Sequence, residues 1–228
     1  MTGNPIIVAL DVPSAAQARS IVAACGPDAG FYKVGLELFT AAGPAFVQEL
    51  IAQGKQVFLD LKMYDIGETV KRAAARVAAL GPALLTVHSS PQVVRAAVQA
   101  AAGSQLRILA VTVLTSYDQH DLEDLGIQHR TVAQQVEFLA RKSVAAGAHG
   151  LVCSPLEVSR LRQIFGPVPL LVTPGVRSPG HDQGDQKRVA TPLQAIRDGA
   201  SYLVIGREIT RAPDPAAAAR RILNDLHA

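Results

Sequence analysis

Short β-branched and aliphatic runs alternate with longer Ala-rich segments from one end of the chain to the other. The apolar runs predict strands at "IIVALD" (6–11), "FYKVGL" (31–36), "QVFLDLK" (56–62) and "LLTVHS" (84–89). Four more are predicted at "RILAVTVL" (107–114), "GLVCS" (150–154), "PLLVT" (169–173) and "YLVIGR" (202–207). The segments between them predict helices over 14–26, about 43–53, 67–80, 91–102, 131–147, 155–165, 192–199 and 215–227. Ser14 can cap the first of these and Gly26 can stop it. Pro44, Pro91, Pro155, Pro192 and Pro215 sit near helix starts, where a missing N–H does no harm.

Eight strands, each followed by a helix, predict an α/β chain folded as one (β/α)8 TIM barrel, a single domain over residues 1–228. An open doubly wound sheet would use the same elements. It would usually carry a Gly-rich phosphate turn after the first strand, and "LDVPSAAQ" has none. Two connections are longer than a barrel needs. Residues 115–130 follow the fifth strand and are predicted to include a short extra helix. Residues 174–191, polar and glycine-containing, follow the seventh and read as a mobile lid over a site.

Alternation along a strand assigns each side chain to the barrel interior or to the helix-covered side. In the third strand Val57, Leu59 and Leu61 form the aliphatic, covered face, so Asp60 and Lys62 point inward with Phe58. In the first, Ile6, Val8 and Leu10 are covered and Asp11 points in with Ala9. In the second, Val34 and Leu36 pack outward and Lys33 faces in with Gly35. Three adjacent strands thus send charge to one rim, the end at which barrel active sites are built.

The signs add chemistry. Lys33, Asp60, Lys62 and Asp65 alternate in charge if they converge, and opposite unit charges ~4 Å apart attract by roughly 4 kcal/mol at an effective dielectric of 20. A lysine set among carboxylates stays charged, which suits a proton donor and argues against a Schiff-base nucleophile. An anionic substrate group beside Asp60 would be repelled, and its departure would relieve the repulsion. Gly206-Arg207 ends the eighth strand and "TPGVR", Thr173 to Arg177, ends the seventh. Loops at those positions form the usual phosphate site of a barrel, and Gln186 in the expected lid can close over the same anion.

Composition narrows the classes. The chain has 228 residues, 49% of them hydrophobic, enough for a substantial core. A net charge of +3 without basic runs, 4% aromatics and no Trp argue against a nucleic-acid partner and fit small anionic ligands. Isolated Cys25 and Cys153 fit a reducing compartment. The start "MTGNPIIVALD" has no signal-peptide pattern and no apolar stretch is long enough for a bilayer, so a soluble, cytoplasmic protein is expected, with no membrane partner. His88, His120, His129, His149 and His181 lack ligand-like spacing, so no metal site is expected. His88 ends the fourth strand and is expected to point to the site, in a structural hydrogen bond.

Taken together these residues resemble the orotidine 5′-phosphate decarboxylase family. The likeness runs in order through "ALD" (9–11), "KVG" (33–35), "DLKMYDIGET" (60–69), "TVLTS" (112–116), "TPGVR" (173–177) and "IGR" (205–207). It implies a carboxy-lyase that makes UMP in pyrimidine biosynthesis with no metal or organic cofactor. By the resemblance Lys62 donates a proton to C6 of the pyrimidine, and Asp60 lies beside the departing carboxylate. Lys33 and Asp11 contact ribose hydroxyls, Thr115 bonds the polar edge of the base and Pro174 lines its pocket. Arg177, Gln186, Gly206 and Arg207 hold the phosphate. Asp65 is implied to be catalytic together with Lys62, Asp60 and Lys33, the last orienting Asp60. Ile66 and Thr69 are implied to bind substrate, with Asp65 and Thr69 reaching the partner's site in an obligate homodimer.

The family commonly reads His-Asp-Ile-Pro-Asn-Thr where this chain has Tyr64 to Thr69. The charged position survives, and Gly67 in place of proline loosens the start of the third helix. Sister enzymes on the same scaffold, the 3-keto-gulonate-phosphate decarboxylases and hexulose-phosphate synthases, use Mg²⁺ and typically carry Glu where this chain has Lys33. An ammonium cannot ligate Mg²⁺. A non-catalytic nucleotide sensor would keep Arg207 but has no use for a repulsive carboxylate next to its ligand.

Overall fold

The computed structural model of the chain describes residues 3–178 and 188–226. Its eight strands are β1 (Ile6–Ala9), β2 (Phe31–Gly35), β3 (Gln56–Met63), β4 (Leu84–His88), β5 (Arg107–Val111), β6 (Gly150–Val152), β7 (Leu170–Thr173) and β8 (Tyr202–Ile205). All pair in parallel in chain order, and β8 closes on β1 through Ile6–Leu203 and Ile7–Val204. The (β/α)8 barrel expected from the alternating pattern is the fold observed, as one domain.

The helices that cover it are α1 (Ala15–Cys25), α2 (Leu36–Ala52), α3 (Gly67–Leu80), α4 (Pro91–Ala101) and α5 (Gln119–Asp124). After these come α6 (Val132–Ala145), α7 (Val158–Phe165), α8 (Pro192–Arg197), α9 (Arg207–Thr210) and α10 (Pro215–Asp225). Cap chemistry sets several starts. The Ser14 hydroxyl accepts from Gln17 N, Thr131 and Gln134 form a reciprocal capping box, and Asp214 accepts from Ala217 N. α3 matches its expected span, burying Val70, Ala74 and Val77 along one stripe and ending at left-handed Gly81. α5 is the short helix expected within 115–130.

Two expectations need correction. The second helix begins at Leu36, not near residue 43; its path breaks at Gly43, where φ is 66°, and resumes at Pro44. Pro44 therefore starts the second of two segments. Leu36, expected to pack outward from a strand, is instead the first helical residue and is 58% exposed. The eighth strand stops at Ile205, and Arg207 opens α9 instead of ending a strand.

The phase of the strands is as the alternation requires. Ile7, Ala9, Phe31, Phe58, Leu84, Leu109, Val172 and Val204 fill the barrel interior. Ile6, Val8, Leu10, Val34, Val57, Leu59, Leu85 and Val87 belong to the larger layer between barrel and helices. The interior layers pack tightly enough that a Cβ on Gly150 would lie 2.6 Å from the Leu170 carbonyl oxygen. At the N-terminal end of the barrel, Arg162 donates to the carbonyls of Gly199, Gly166 and Pro169 and to the Ser201 hydroxyl, clipping α7 to the bases of β7 and β8. Among the described residues no helix is long and apolar enough to cross a membrane.

Phe58 lies on the inward face of β3, two residues before Asp60, and is 1% exposed. Phe58→Ala is expected to cost about 3–5 kcal/mol of unfolding free energy, read by urea titration, because the closed barrel cannot collapse into the void.

Candidate active site

The C-terminal rim of β1, β2 and β3 gathers the charges that alternation turned inward. Lys33 Nζ donates to Asp11 Oδ1 at 2.7 Å and lies 3.6 Å from Asp60 Oδ2. Lys62 Nζ donates to Asp60 Oδ1 at 2.8 Å. The side chains of Lys33 and Asp60 are only 10% and 14% exposed, whereas Asp11 at 60% reaches toward solvent. Gly35 makes room for this network: a Cβ there would lie 3.1 Å from both Asp11 Oδ1 and Lys33 Nζ.

Lys62 reaches its place through an irregular backbone. It is the only non-glycine residue with positive φ among those described, at 46°. That left-handed conformation costs an L-residue roughly 1–2 kcal/mol. The β3–β4 register also shifts between Leu59 and Met63, a bulge that re-aims the strand end. Thr86 on β4 stabilises the turn, its hydroxyl accepting from Lys62 N and donating to Asp60 Oδ1, each at 2.9 Å. Burial alone would push the Asp60 carboxyl up. Lys33 and Lys62, with hydrogen bonds from Lys62 and Thr86, more than offset it and hold the group below its ordinary value.

Asp11, Lys33, Asp60 and Lys62 form one wall of a cavity of about 650 Å³. The opposite wall comes from the loops after β5, β7 and β8: Thr115, Pro174, Arg177, Gly206 and Arg207 all line it. Glu208 steadies the side that carries Arg177 and Arg207, accepting from Ser178 N at 3.1 Å and from Arg221 at 2.9 Å. The base of the loop after β7 is closed by the Val176–Ala190 bridge. Arg188 pairs with buried Glu157 and donates to the Val113 and Leu114 carbonyls, tying that loop to those after β5 and β6.

The structure thus brings together Asp11, Lys33, Asp60, Lys62, Thr115, Pro174, Arg177, Gly206 and Arg207. It does not bring Asp65, Ile66 or Thr69 to the cavity of their own chain. Asp65 is exposed, with Oδ1 accepting from Ile66 N, so the expected alternation of four charges is here Asp11, Lys33, Asp60 and Lys62. Gln186 and half of the expected lid, residues 179–187, lie outside the described residues. His88 does not line the main cavity; its ring tilts against Tyr64 with centroids 5.0 Å apart, in a neighbouring depression.

Thr86 was missed by sequence reasoning, although a signal was present. It shares the inward phase of Leu84 and His88, so a polar group there faces the rim. Gln17, Ser116, Thr210 and Arg211 also line the cavity without having been singled out. Among the described residues no group of three or more His, Cys, Asp or Glu is placed to hold a metal ion. Cys25 and Cys153 are buried free thiols, and burial pushes both up from the ordinary thiol range.

The profile of the Orotidine 5'-phosphate decarboxylase / HUMPS family matches residues 4–222. The chain belongs to that family. Within it, the chain is 51% identical over 221 residues to the orotidine 5'-phosphate decarboxylase of Rhodopseudomonas palustris (strain HaA2), covering 97% of this chain and 94% of that one. It is 53% identical to the protein of the same name from Anaeromyxobacter dehalogenans, with 97% of each chain covered. A crystal structure of orotidine 5'-phosphate decarboxylase from Lactobacillus acidophilus superimposes with a TM-score of 0.88 at 39% identity, over 99% of this chain and 100% of that one. The family membership expected from the strand-end motifs is therefore the one found.

Because the folded-state value of Asp60 is depressed, its contribution to stability is present above the unfolded value of ~3.9 and lost as pH falls through the lower folded value. The stability advantage of the wild type over Asp60→Asn is expected to be flat from pH 7 to about 4 and to shrink below it. Urea unfolding at a series of pH values checks this.

Proposed function

We propose that the chain decarboxylates orotidine 5′-phosphate to UMP in cytoplasmic pyrimidine biosynthesis, without metal or organic cofactor, with Lys62 as the proton donor to C6. The observation that carries this reading is a carboxylate bracketed by two ammonium groups, Lys62 at 2.8 Å and Lys33 at 3.6 Å, facing arginines across one cavity. The cavity is of the size that small-molecule sites usually have, roughly 300–1,000 Å³.

The substrate phosphate lies against Gly206, Arg207 and Arg177, with Gln186 as a further ligand. The ribose hydroxyls meet Asp11 and Lys33, and the pyrimidine lies by Thr115 and Pro174. This places the C6 carboxylate beside Asp60. Two like charges ~4 Å apart repel by roughly 4 kcal/mol at an effective dielectric of 20, and the repulsion falls as the carboxylate becomes neutral CO₂. The C6–carboxyl bond breaks, its electron pair stays on C6, and Lys62 Nζ delivers a proton there. Solvent returns the proton to the lysine. The Lys62 ammonium also offsets the charge that develops on C6, which a neutral residue would not. Binding energy from the distant phosphate supports the strained placement of the carboxylate.

The donor set supports a reaction that needs no metal. Among the described residues Asp11 and Asp60 are the carboxylates lining the cavity, and each is already met by a lysine ammonium, which disfavours a divalent cation between them. That weighs against the Mg²⁺-dependent sugar-phosphate chemistry of the sister enzymes.

The same reading makes the protein a homodimer in which Asp65, Ile66 and Thr69 complete the partner's site. Its support is the apolar surface beside the rim: Tyr64 and Ile66 are each 69% exposed and flank Asp65.

Purified protein in EDTA is expected to convert orotidine 5′-phosphate to UMP, followed by ultraviolet absorbance. Lys62→Ala is expected to lose at least roughly 10²-fold in rate; activity that appears only with Mg²⁺ and a sugar phosphate would overturn the reading. Mixing inactive Lys62→Ala with inactive Asp65→Ala protein is expected to recover about a quarter of wild-type activity, since half of randomly assembled two-fold dimers carry one intact site of two. No recovery after subunit exchange would place Asp65 outside the partner's site.

A further inference from the structure

In a parallel pair, each residue of one strand is normally matched along the ladder of the other. β3 and β4 are matched at Leu59 with Leu85 and again at Met63 with Val87. Leu59 to Met63 is four steps, whereas Leu85 to Val87 is two, so the surplus falls in the Asp60–Lys62 stretch. Thr86 is the one β4 residue that faces it.

A bulge leaves backbone groups without ladder partners, and an unpaired buried N–H is costly. Here a side chain supplies the partner. The Thr86 hydroxyl is fully buried, accepts from Lys62 N at 2.9 Å and donates to Asp60 Oδ1 at 2.9 Å. A hydroxyl has a single proton, so donation to the carboxylate fixes its lone pairs toward the lysine N–H. One group thereby pins the left-handed backbone of Lys62 and the oxygen that receives the Lys62 ammonium.

We propose that Thr86 is a positioning residue for Lys62: its hydroxyl replaces the missing ladder partner, holds the lysine backbone in its left-handed turn, and fixes the Asp60 oxygen toward which Nζ is drawn. The proposal rests on the reading of Lys62 as proton donor. It goes further by assigning the lysine's aim to a residue that does not line the substrate cavity. Ground-state binding through the arginine side does not involve Thr86, so its loss acts on the chemical step.

The test compares Thr86→Val, which keeps the shape and removes the hydroxyl, with Thr86→Ser, which keeps the hydroxyl. Thr86→Val is expected to lower kcat between roughly 10-fold and 10²-fold, with KM changed by less than about threefold. Thr86→Ser is expected to stay within about threefold of the wild type in both. Hydrogen exchange at the Lys62 amide is expected to accelerate in the valine variant and not in the serine variant. A merely structural threonine would lower Tm and leave kcat per folded molecule unchanged. The proposal is overturned by a folded valine variant with wild-type kcat, by a serine variant as slow as valine, or by unchanged protection of the Lys62 amide. Should the valine variant not fold, Thr86→Ala enters the same comparison. Failure of the wild type to turn over orotidine 5′-phosphate would sink the functional reading instead, and amide exchange would still decide whether Thr86 holds Lys62.

Discussion

A buried carboxylate is unstable unless positive charge and hydrogen bonds surround it, and the rim of this barrel is organised to keep Asp60 ionised. Desolvation opposes its charge; Lys33, Lys62 and Thr86 together overcome it. Each comes from a different position in the sheet: Lys33 from β2, Lys62 from the bulged end of β3, Thr86 from β4. Gly35 keeps the space in which the Lys33–Asp11 pair lies. Removing one lysine would therefore leave a poorly compensated charge as well as an empty place, so structural and chemical roles are inseparable at this rim.

The closed barrel divides the cavity into two halves with different physics. β1 to β4 carry the charge network, held on strand ends whose direction the ladder fixes. The loops after β5 and β7 carry Thr115, Pro174 and Arg177, and Arg207 opens α9 after β8. The connection after β7 is the longest and needs ties of its own. The Arg188–Glu157 pair and the Arg188 bonds to the Val113 and Leu114 carbonyls supply them, while Glu208 anchors Ser178 beside Arg207. Stiff strand ends hold charged groups at fixed separations. On the proposed reading, that aims the lysine, while the tethered loops hold the phosphate away from the bond that breaks.

What could be read from the sequence was whatever depends on period and sign. Strand alternation assigned Asp60, Lys62, Lys33 and Asp11 to the interior rim, and the segment between strands predicted the third helix over 67–80, whose buried stripe is Val70, Ala74 and Val77. Eight repeats of one pattern left few ways to bury the aliphatic faces other than a closed barrel. Where signals compete, the reading slipped. Pro44 marked a helix start, and the preceding "LELFTAA" had no cap to mark an earlier one, so the first segment of α2 went unseen. Arg207 was read as part of a strand because four residues of helix have too short a pattern to detect.

The tertiary structure alone decided the rest, because those features arise from groups distant in sequence meeting across the sheet. The bulge at Asp60–Lys62 depends on register with β4, and no local signal in "FLDLKMYD" reveals two surplus residues. The left-handed backbone of Lys62 runs against the propensity of any lysine and persists because Thr86, 24 residues later, satisfies its N–H. Likewise only the folded chain separates Asp65 from the charges it neighbours in sequence, turning it outward beside exposed Tyr64 and Ile66. The sequence by itself determined which residues could face the site; packing between strands determined how each one is aimed.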